Sequence, residues 1–259
     1  MQGEQATDRV VLTITGADRV KFLHGLVTRD VGAPGEGLRY SALLSPQGKY
    51  LADFFLLNRG EDILLDVKAD LAGGLARRLM MYRLRADVTI EDSALPVVRG
   101  VGDAPEGAFA DPRHPSLGWR GYGMAGDAPV TDWDALRVAA CIPEAGIELI
   151  PDESYILECG FDRMGGVDHR KGCYVGQEVT ARMKHKTELR KGLVTVSVEG
   201  RAAPGTEIMA GDKAVGALFT QSGGQAIAHL RFDRAEGEMW ADDAKVIWNP
   251  PFSVDKSVD

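Results

Sequence analysis

The stretch YSALLSPQGKYLADFFLLNRGEDILLDV, residues 40–67, constrains the fold more than any other part of the chain. Three apolar runs are separated by PQGK (46–49) and NRGED (58–62), two clusters of turn-forming residues. Runs this short, joined this tightly, predict three strands in an antiparallel meander. VVLTI (10–14) predicts a further strand. ITGADRVKFLHGLVTRDV (14–31) predicts a helix, with Asp18 as its cap and Val20, Leu23 and Val27 recurring beside Phe22 and Leu26. APGEG (33–37) breaks the chain. Leu71, Leu75 and Leu79 mark a helix through Met81, and Ala86–Ile90 predicts another strand. Positions 99–129 are rich in Gly, Pro and Asp and read as loops with one strand. TDWDALRVAAC (131–141) returns to helix, with Thr131 or Asp132 as cap, and 142–153 is irregular.

After Gly192 the period changes. Val194, Val196 and Val198 alternate with Thr195 and Ser197, and turns recur at EGRAAPG (199–205), AGDK (210–213) and SGG (222–224). Short strands with regular turns predict a small antiparallel barrel or sandwich. The fold class is therefore α+β, with an α+β region over 1–190, a barrel or sandwich over 191–252, and a tail at 253–259 expected to fray. A length of 259 residues suits that division, and 44% apolar content is enough for real cores.

The formal net charge is −8 and the pI about 5.2, which argues against global attraction to nucleic acid or anionic membrane. The first residues, MQGEQATDRV, have neither an apolar signal core nor an Arg-rich composition, and no apolar run reaches the length of a membrane span. The expected location is cytoplasmic. Walker A, GxSxG and HExxH patterns are absent. No CxxC or Cys/His zinc pattern joins the three cysteines, 141, 159 and 173, so no metal site is expected.

One segment runs against the acidic average. HRKGCYVGQEVTARMKHKTELRKG (169–192) holds seven Lys and Arg against two Glu, with Cys173 near its start. Gly176-Gln-Glu opens a predicted helix on which Val179 and Met183 can face a core. Backbone N–H groups at a helix start and neighbouring cations favour a thiolate. Gly172 and Gly176 would allow a ligand to approach the backbone. The residues fit a nucleophile, a soft metal ligand or part of an anion pocket. The competing reading is a small buried cysteine beside a solvated charged face. Cys141, after Val138-Ala-Ala, and Cys159 read as structural.

KGCYVGQEVTAR (171–182) resembles the signature of the YgfZ family, folate-binding-type relatives of the glycine-cleavage T-protein that include mitochondrial factors helping to mature [4Fe–4S] proteins. FLHGLVTRDV (22–31), ALLSPQGKYLADFFL (42–56), LRVAACIPEAGIEL (136–149) and AVGALFTQSGGQAIAHLRFDRA (214–235) are similar to other stretches of that family, with Cys141 where a Gly is usual. The resemblance implies two α+β portions and a C-terminal antiparallel barrel around a central cleft that can hold tetrahydrofolate. It places Cys173 as the reactive thiol, and Lys171, Gly172, Tyr174, Gly176, Gln177, Glu178 and Arg182 on the ligand-binding motif. Lys171 and Arg182 would meet folate carboxylates or a partner's acidic surface. The implied function is assembly or repair of iron–sulfur proteins, with iron–sulfur assembly proteins or client enzymes as partners. The alternatives are tetrahydrofolate-dependent aminomethyl transfer and a non-catalytic folate-binding module. One feature separates the assembly role from aminomethyl transfer. T-proteins carry a pterin-contacting carboxylate in a stretch whose nearest match here, GWRGYGMAG (118–126), has none.

Overall fold

The computed structural model describes residues 3–186 and 189–249. The tail at 253–259 lies outside the described residues, as do positions 187 and 188 just before the expected barrel.

The chain begins with strands β1 (Glu4–Gln5) and β2 (Arg9–Thr15) and helix α1 (Arg19–His24). The meander follows as β3 (Arg39–Leu44), β4 (Tyr50–Asn58) and β5 (Ile63–Lys68). Helix α2 (Ala69–Arg83) and strand β6 (Thr89–Asp92) complete a five-stranded antiparallel sheet of order β3-β4-β5-β2-β6. Both faces are covered, so β4 and β5 read as nearly continuous apolar runs. Alternation still sorts their side chains. Ala52, Phe54, Leu56, Ile63, Leu65 and Val67 pack beneath Leu23, Leu75 and Leu79 of the two helices. Phe55, Leu57 and Leu64 enter a second core with Tyr40, Val97 and Phe161. Asp53 and Asp66 share the parity of Phe55 and Leu64, so the period of two sends both carboxylates into that second core, where they are buried.

A four-stranded sheet closes the second core. Strands β7 (Val97–Gly100), β8 (Phe109–Ala110) and β9 (Trp119–Tyr122) pair with β1 in the order β1-β7-β9-β8. These strands are too short to show a period between their Gly- and Pro-rich connections, which is why 99–129 read as loops. Helix α3 (Trp133–Ala140) is capped by Asp132, whose carboxylate accepts the Ala135 N–H at 2.9 Å. Cys141, the residue that caps its C-terminus, is left-handed at φ 51°, the conformation glycine adopts most easily.

Two expectations change. Helix α1 stops at His24 instead of running to Val31, because Val27 is drawn into a bridge with Leu43 at the sheet edge. Asp18 does not cap it but accepts the Asp87 N–H at 2.9 Å, and Val20 is exposed. The strand expected at 86–90 pairs at 89–92.

Helix α4 (Gln177–Lys186) leads to the barrel. Strands β10 (Lys191–Glu199), β11 (Thr206–Ala210), β12 (Lys213–Ser222), β13 (Gln225–Arg231), β14 (Met239–Ala241) and β15 (Ala244–Ile247) close in the order β10-β13-β12-β11-β14-β15. Val196, Val198, Leu218 and Leu230 fill it. Arg137 of α3 fastens it to the body, donating to Glu148 at 3.2 Å and to the Thr220 hydroxyl at 3.0 Å. No helix among the described residues is long and apolar enough to cross a membrane.

Candidate functional site

The thiol segment is a loop pinned at both ends. Upstream, the Asp168 N–H donates to the Thr28 carbonyl at 3.0 Å, and its carboxylate accepts the Arg170 and Lys171 N–H groups at 2.8 and 3.3 Å. Lys171 is buried, and its ammonium donates to the carbonyls of His24 and Val27 at 2.6 and 2.5 Å. It thereby satisfies backbone acceptors where α1 ends. Burial lowers its pKa to about 8, against the smaller opposing pull of Asp168 and Asp30. The Tyr174 ring packs into the second core below that ammonium, 5.1 Å from its centroid. Gly176, at φ +80°, presses on the PQGK turn: a Cβ there would lie 2.6 Å from the Ser45 carbonyl oxygen. Gly48 of that turn meets Val179 of α4 as closely.

Between these anchors, Gly172 and Cys173 are exposed. Helix α4 begins only at Gln177, beyond the turn at Val175 and Gly176, so the thiol does not sit on the helix N-terminus. Gly176 serves close approach by the chain's own turn, while Gly172 faces open space. Gln177 reaches back to the Gly172 carbonyl at 3.5 Å. Glu178 and Arg182 are exposed, and Arg182 has no ion pair among the described residues. Arg170 is also exposed. His169 and Lys184 instead converge on Asp162, with the histidine at 2.5 Å, and burial notwithstanding, these two partners lower the Asp162 pKa. The basic stretch thus divides. Lys171 is an internal anchor with two of its three donors in use, and Arg170 and Arg182 face outward with the thiol.

The other thiols are withdrawn. Cys159 lies in the second core, and burial followed by Glu158 pushes its pKa up to about 12. Cys141 is partly buried, and burial raises its pKa despite the nearby Arg163.

The sequence did not single out the largest polar assembly. Between the two sheets, Asp66 accepts from Arg9 at 2.6 Å, Arg120 at 3.1 Å and the Tyr122 hydroxyl at 3.1 Å. Asp111 accepts from Arg113 at 2.8 Å and Arg120 at 3.1 Å, while Asp53 accepts the hydroxyls of Tyr40 and Tyr50 at 3.0 and 2.6 Å. The guanidinium groups of Arg9, Arg113 and Arg120 all lie over the Phe55 ring, Arg120 nearest at 4.1 Å. The available signal was a lone carboxylate inside an apolar strand, Asp53 in LADFFLL and Asp66 in ILLDV.

This assembly bears on folate. A pterin presents ring N–H donors that need a buried acceptor. Around Arg120 and Tyr122 the buried carboxylates are Asp66 and Asp111, and both are committed to arginines. A cavity of about 350 Å³ beside Tyr122 is lined by Leu57, Asn58, Arg59 and Leu64. There the Asn58 amide serves Gly32 and Gly60, and Arg59 pairs with Asp62. These residues do not fit a pterin.

Comparison with known proteins places this geometry among relatives. Residues 190–256 match the family model described as CAF17, C-terminal beta-barrel domain. The chain is 31% identical to the mouse protein named iron-sulfur cluster assembly factor IBA57, mitochondrial, covering 89% of this chain and 78% of that one. The human protein of the same name is 28% identical over the same shares. A homologue from Mycosarcoma maydis is 33% identical over 73% of this chain and 55% of its own. The chain spans about half the length of this and other fungal relatives. Among solved structures, the glycine cleavage system aminomethyltransferase T of Bartonella henselae superposes with a TM-score of 0.75 at 14% identity, over 96% of this chain and 85% of that one. That likeness concerns the fold alone. The relatives are named as mitochondrial, which overturns the cytoplasmic expectation. That expectation rested on the polar first residues and the lack of a long apolar run, and neither property fixes a compartment.

Proposed function

This chain belongs to the IBA57 family, and from that premise we propose that it serves iron–sulfur cluster assembly by presenting Cys173 to a partner protein. The observation that carries this reading is the contrast among the three thiols. Cys173 stands exposed on an anchored loop, while Cys141 and Cys159 are withdrawn and held toward the protonated form. The thiolate is both the nucleophile and the metal ligand, so accessibility and charge decide which cysteine works. Arg170 and Arg182 supply positive charge on the thiol's own segment.

A single thiol cannot hold a cluster, since clusters take four cysteine ligands as a rule. No group of three or more metal-binding side chains occurs among the described residues. Iron or sulfide is therefore cargo, and a partner or small thiol completes its ligand set. Tetrahydrofolate has no part in this scheme. The committed carboxylates around Arg120 support a chain that works without a resident pterin and does not carry out aminomethyl transfer.

The test is a strain lacking the protein, assayed for [4Fe–4S] enzyme activities. Wild type and Cys159→Ala should restore them, and Cys173→Ser should not. Full rescue by Cys173→Ser would end the thiol reading. Alkylation at neutral pH should label Cys173 at least about tenfold faster than Cys159, whose raised pKa suppresses its thiolate.

A further inference from the structure

The outward face of α2 carries features that weaken the free chain and serve nothing inside it. Gly74, Arg77, Arg78 and Met81 share the face opposite the buried Ala72, Leu75 and Leu79. Gly73 and Gly74 lie in the helix interior, where glycine is less favourable than alanine, yet a Cβ at either would meet nothing within 4 Å. Met81 and Leu84 are 77% and 89% exposed. Leu84 closes the helix at φ 45°, ψ −104°, outside the regions a branched side chain favours. Around them Arg77, Arg78, Arg83 and Arg85 are exposed and without ion pairs among the described residues, in a chain of net charge −8. A groove of about 180 Å³ opens alongside, lined by Leu51, Leu71, Gly74 and Arg78, with Asp70 and Asp152 also on its walls.

We propose that this face docks an acidic partner protein, whose backbone approaches over Gly73 and Gly74 while one apolar side chain enters the groove. The guanidinium groups set the partner's charge, and the exposed Met81 and Leu84 supply apolar contact. A second copy of this chain fits less well, since a symmetric pairing would bring arginine against arginine. A membrane fits less well too, because the apolar stripe of α2 is already spent on the sheet. The surface extends the assembly reading by giving the partner a place to sit, and it rests on that reading only for the pathway concerned.

The test uses the full chain and a fluorescein-labelled amphipathic peptide with leucine at i, i+4 and glutamate elsewhere. It should bind, bind less tightly as salt rises, and protect α2 amides from hydrogen exchange. A lysine-for-glutamate version should not bind. Arg77→Glu/Arg78→Glu should lower affinity more than about tenfold. Gly74→Gln should raise the melting temperature while weakening the peptide, a combination that a purely structural glycine would not produce. Wild type that fails to bind the peptide, or both variants binding unchanged, would overturn the proposal. So would flotation on phosphatidylglycerol vesicles that the double variant abolishes, which would assign the face to lipid. Rescue of the deletion strain by Cys173→Ser would remove the thiol reading and leave the peptide result standing, so the two failures are separable.

Discussion

The thiol segment and the buried centre both gather arginine and lysine, and they use them in opposite ways. In the centre, Arg9, Arg113 and Arg120 are matched to Asp66 and Asp111 and stacked on Phe55. On the thiol segment, Arg170 and Arg182 point to solvent, Lys184 pairs with Asp162, and Lys171 is turned inward. Removing a charge from water is costly unless it is paired and hydrogen-bonded. The centre therefore spends its cations on holding the fold, and the segment keeps Arg170 and Arg182 available to something outside the chain.

The largest expected effect is in the centre. Asp66→Ala would strand Arg9 in the core and leave Arg120 with Asp111 alone, and breaking a buried pair from one side costs about 3–5 kcal/mol. Arg182→Ala should stay within about 0.5 kcal/mol. Urea denaturation compares them directly, and similar losses for the two variants would erase the distinction between the regions. Acid should probe the same contrast. Burial alone would raise the Glu144 carboxyl, but Lys68, Arg137 and Arg9 hold its pKa at about 2, below the ordinary 4.5. Asp111 is likewise held low by Arg113 and Arg120 against its burial. A depressed folded pKa contributes stability that is complete above about pH 4.5 and is lost as pH falls toward 2. Circular dichroism should show cooperative loss over that window.

An intermediate effect joins the two regions. Gly176→Ala must place a Cβ against the Ser45 carbonyl at a positive φ, a strain of about 1–3 kcal/mol. It should also reduce rescue of [4Fe–4S] enzymes, because Gly176 is where the loop carrying Cys173 is pressed against the PQGK turn. Normal rescue in a destabilised variant would show that the thiol needs no fixed presentation.

The meander and the barrel were legible because each is written in contiguous residues. PQGK and NRGED fall in the turns between β3, β4 and β5, and the Val194–Val198 alternation begins the closed barrel. The four-stranded sheet was not legible, since β1 and β8 have two residues each, too few to show a period, and β1 pairs with a strand more than ninety residues away. The centre escaped for the same reason: Asp66 finds Arg9 and Arg120 only after both sheets have formed. Lys171 shows the limit most sharply. Its neighbours in the chain suggest an anion contact, and its neighbours in space are two carbonyls.

The smallest effect tests that reassignment of Lys171. Its pKa of about 8 lies below the ordinary 10.5, so the unfolded chain holds the proton more tightly than the folded one. The burial penalty on the ammonium is in force below pH 8 and is relieved as pH rises from 8 toward 10.5, the range in which the unfolded state binds more protons. Stability of the wild type relative to Lys171→Met should therefore climb by about 1 kcal/mol between pH 7 and 8.5, since one pKa unit is worth about 1.4 kcal/mol. The arginines of the centre stay charged throughout this range and contribute no such slope. Parallel urea titrations at the two pH values measure the difference. A constant gap between wild type and Lys171→Met would mean that the ammonium remains in water, and Lys171 would then rejoin Arg170 and Arg182 as a cation free to meet a partner.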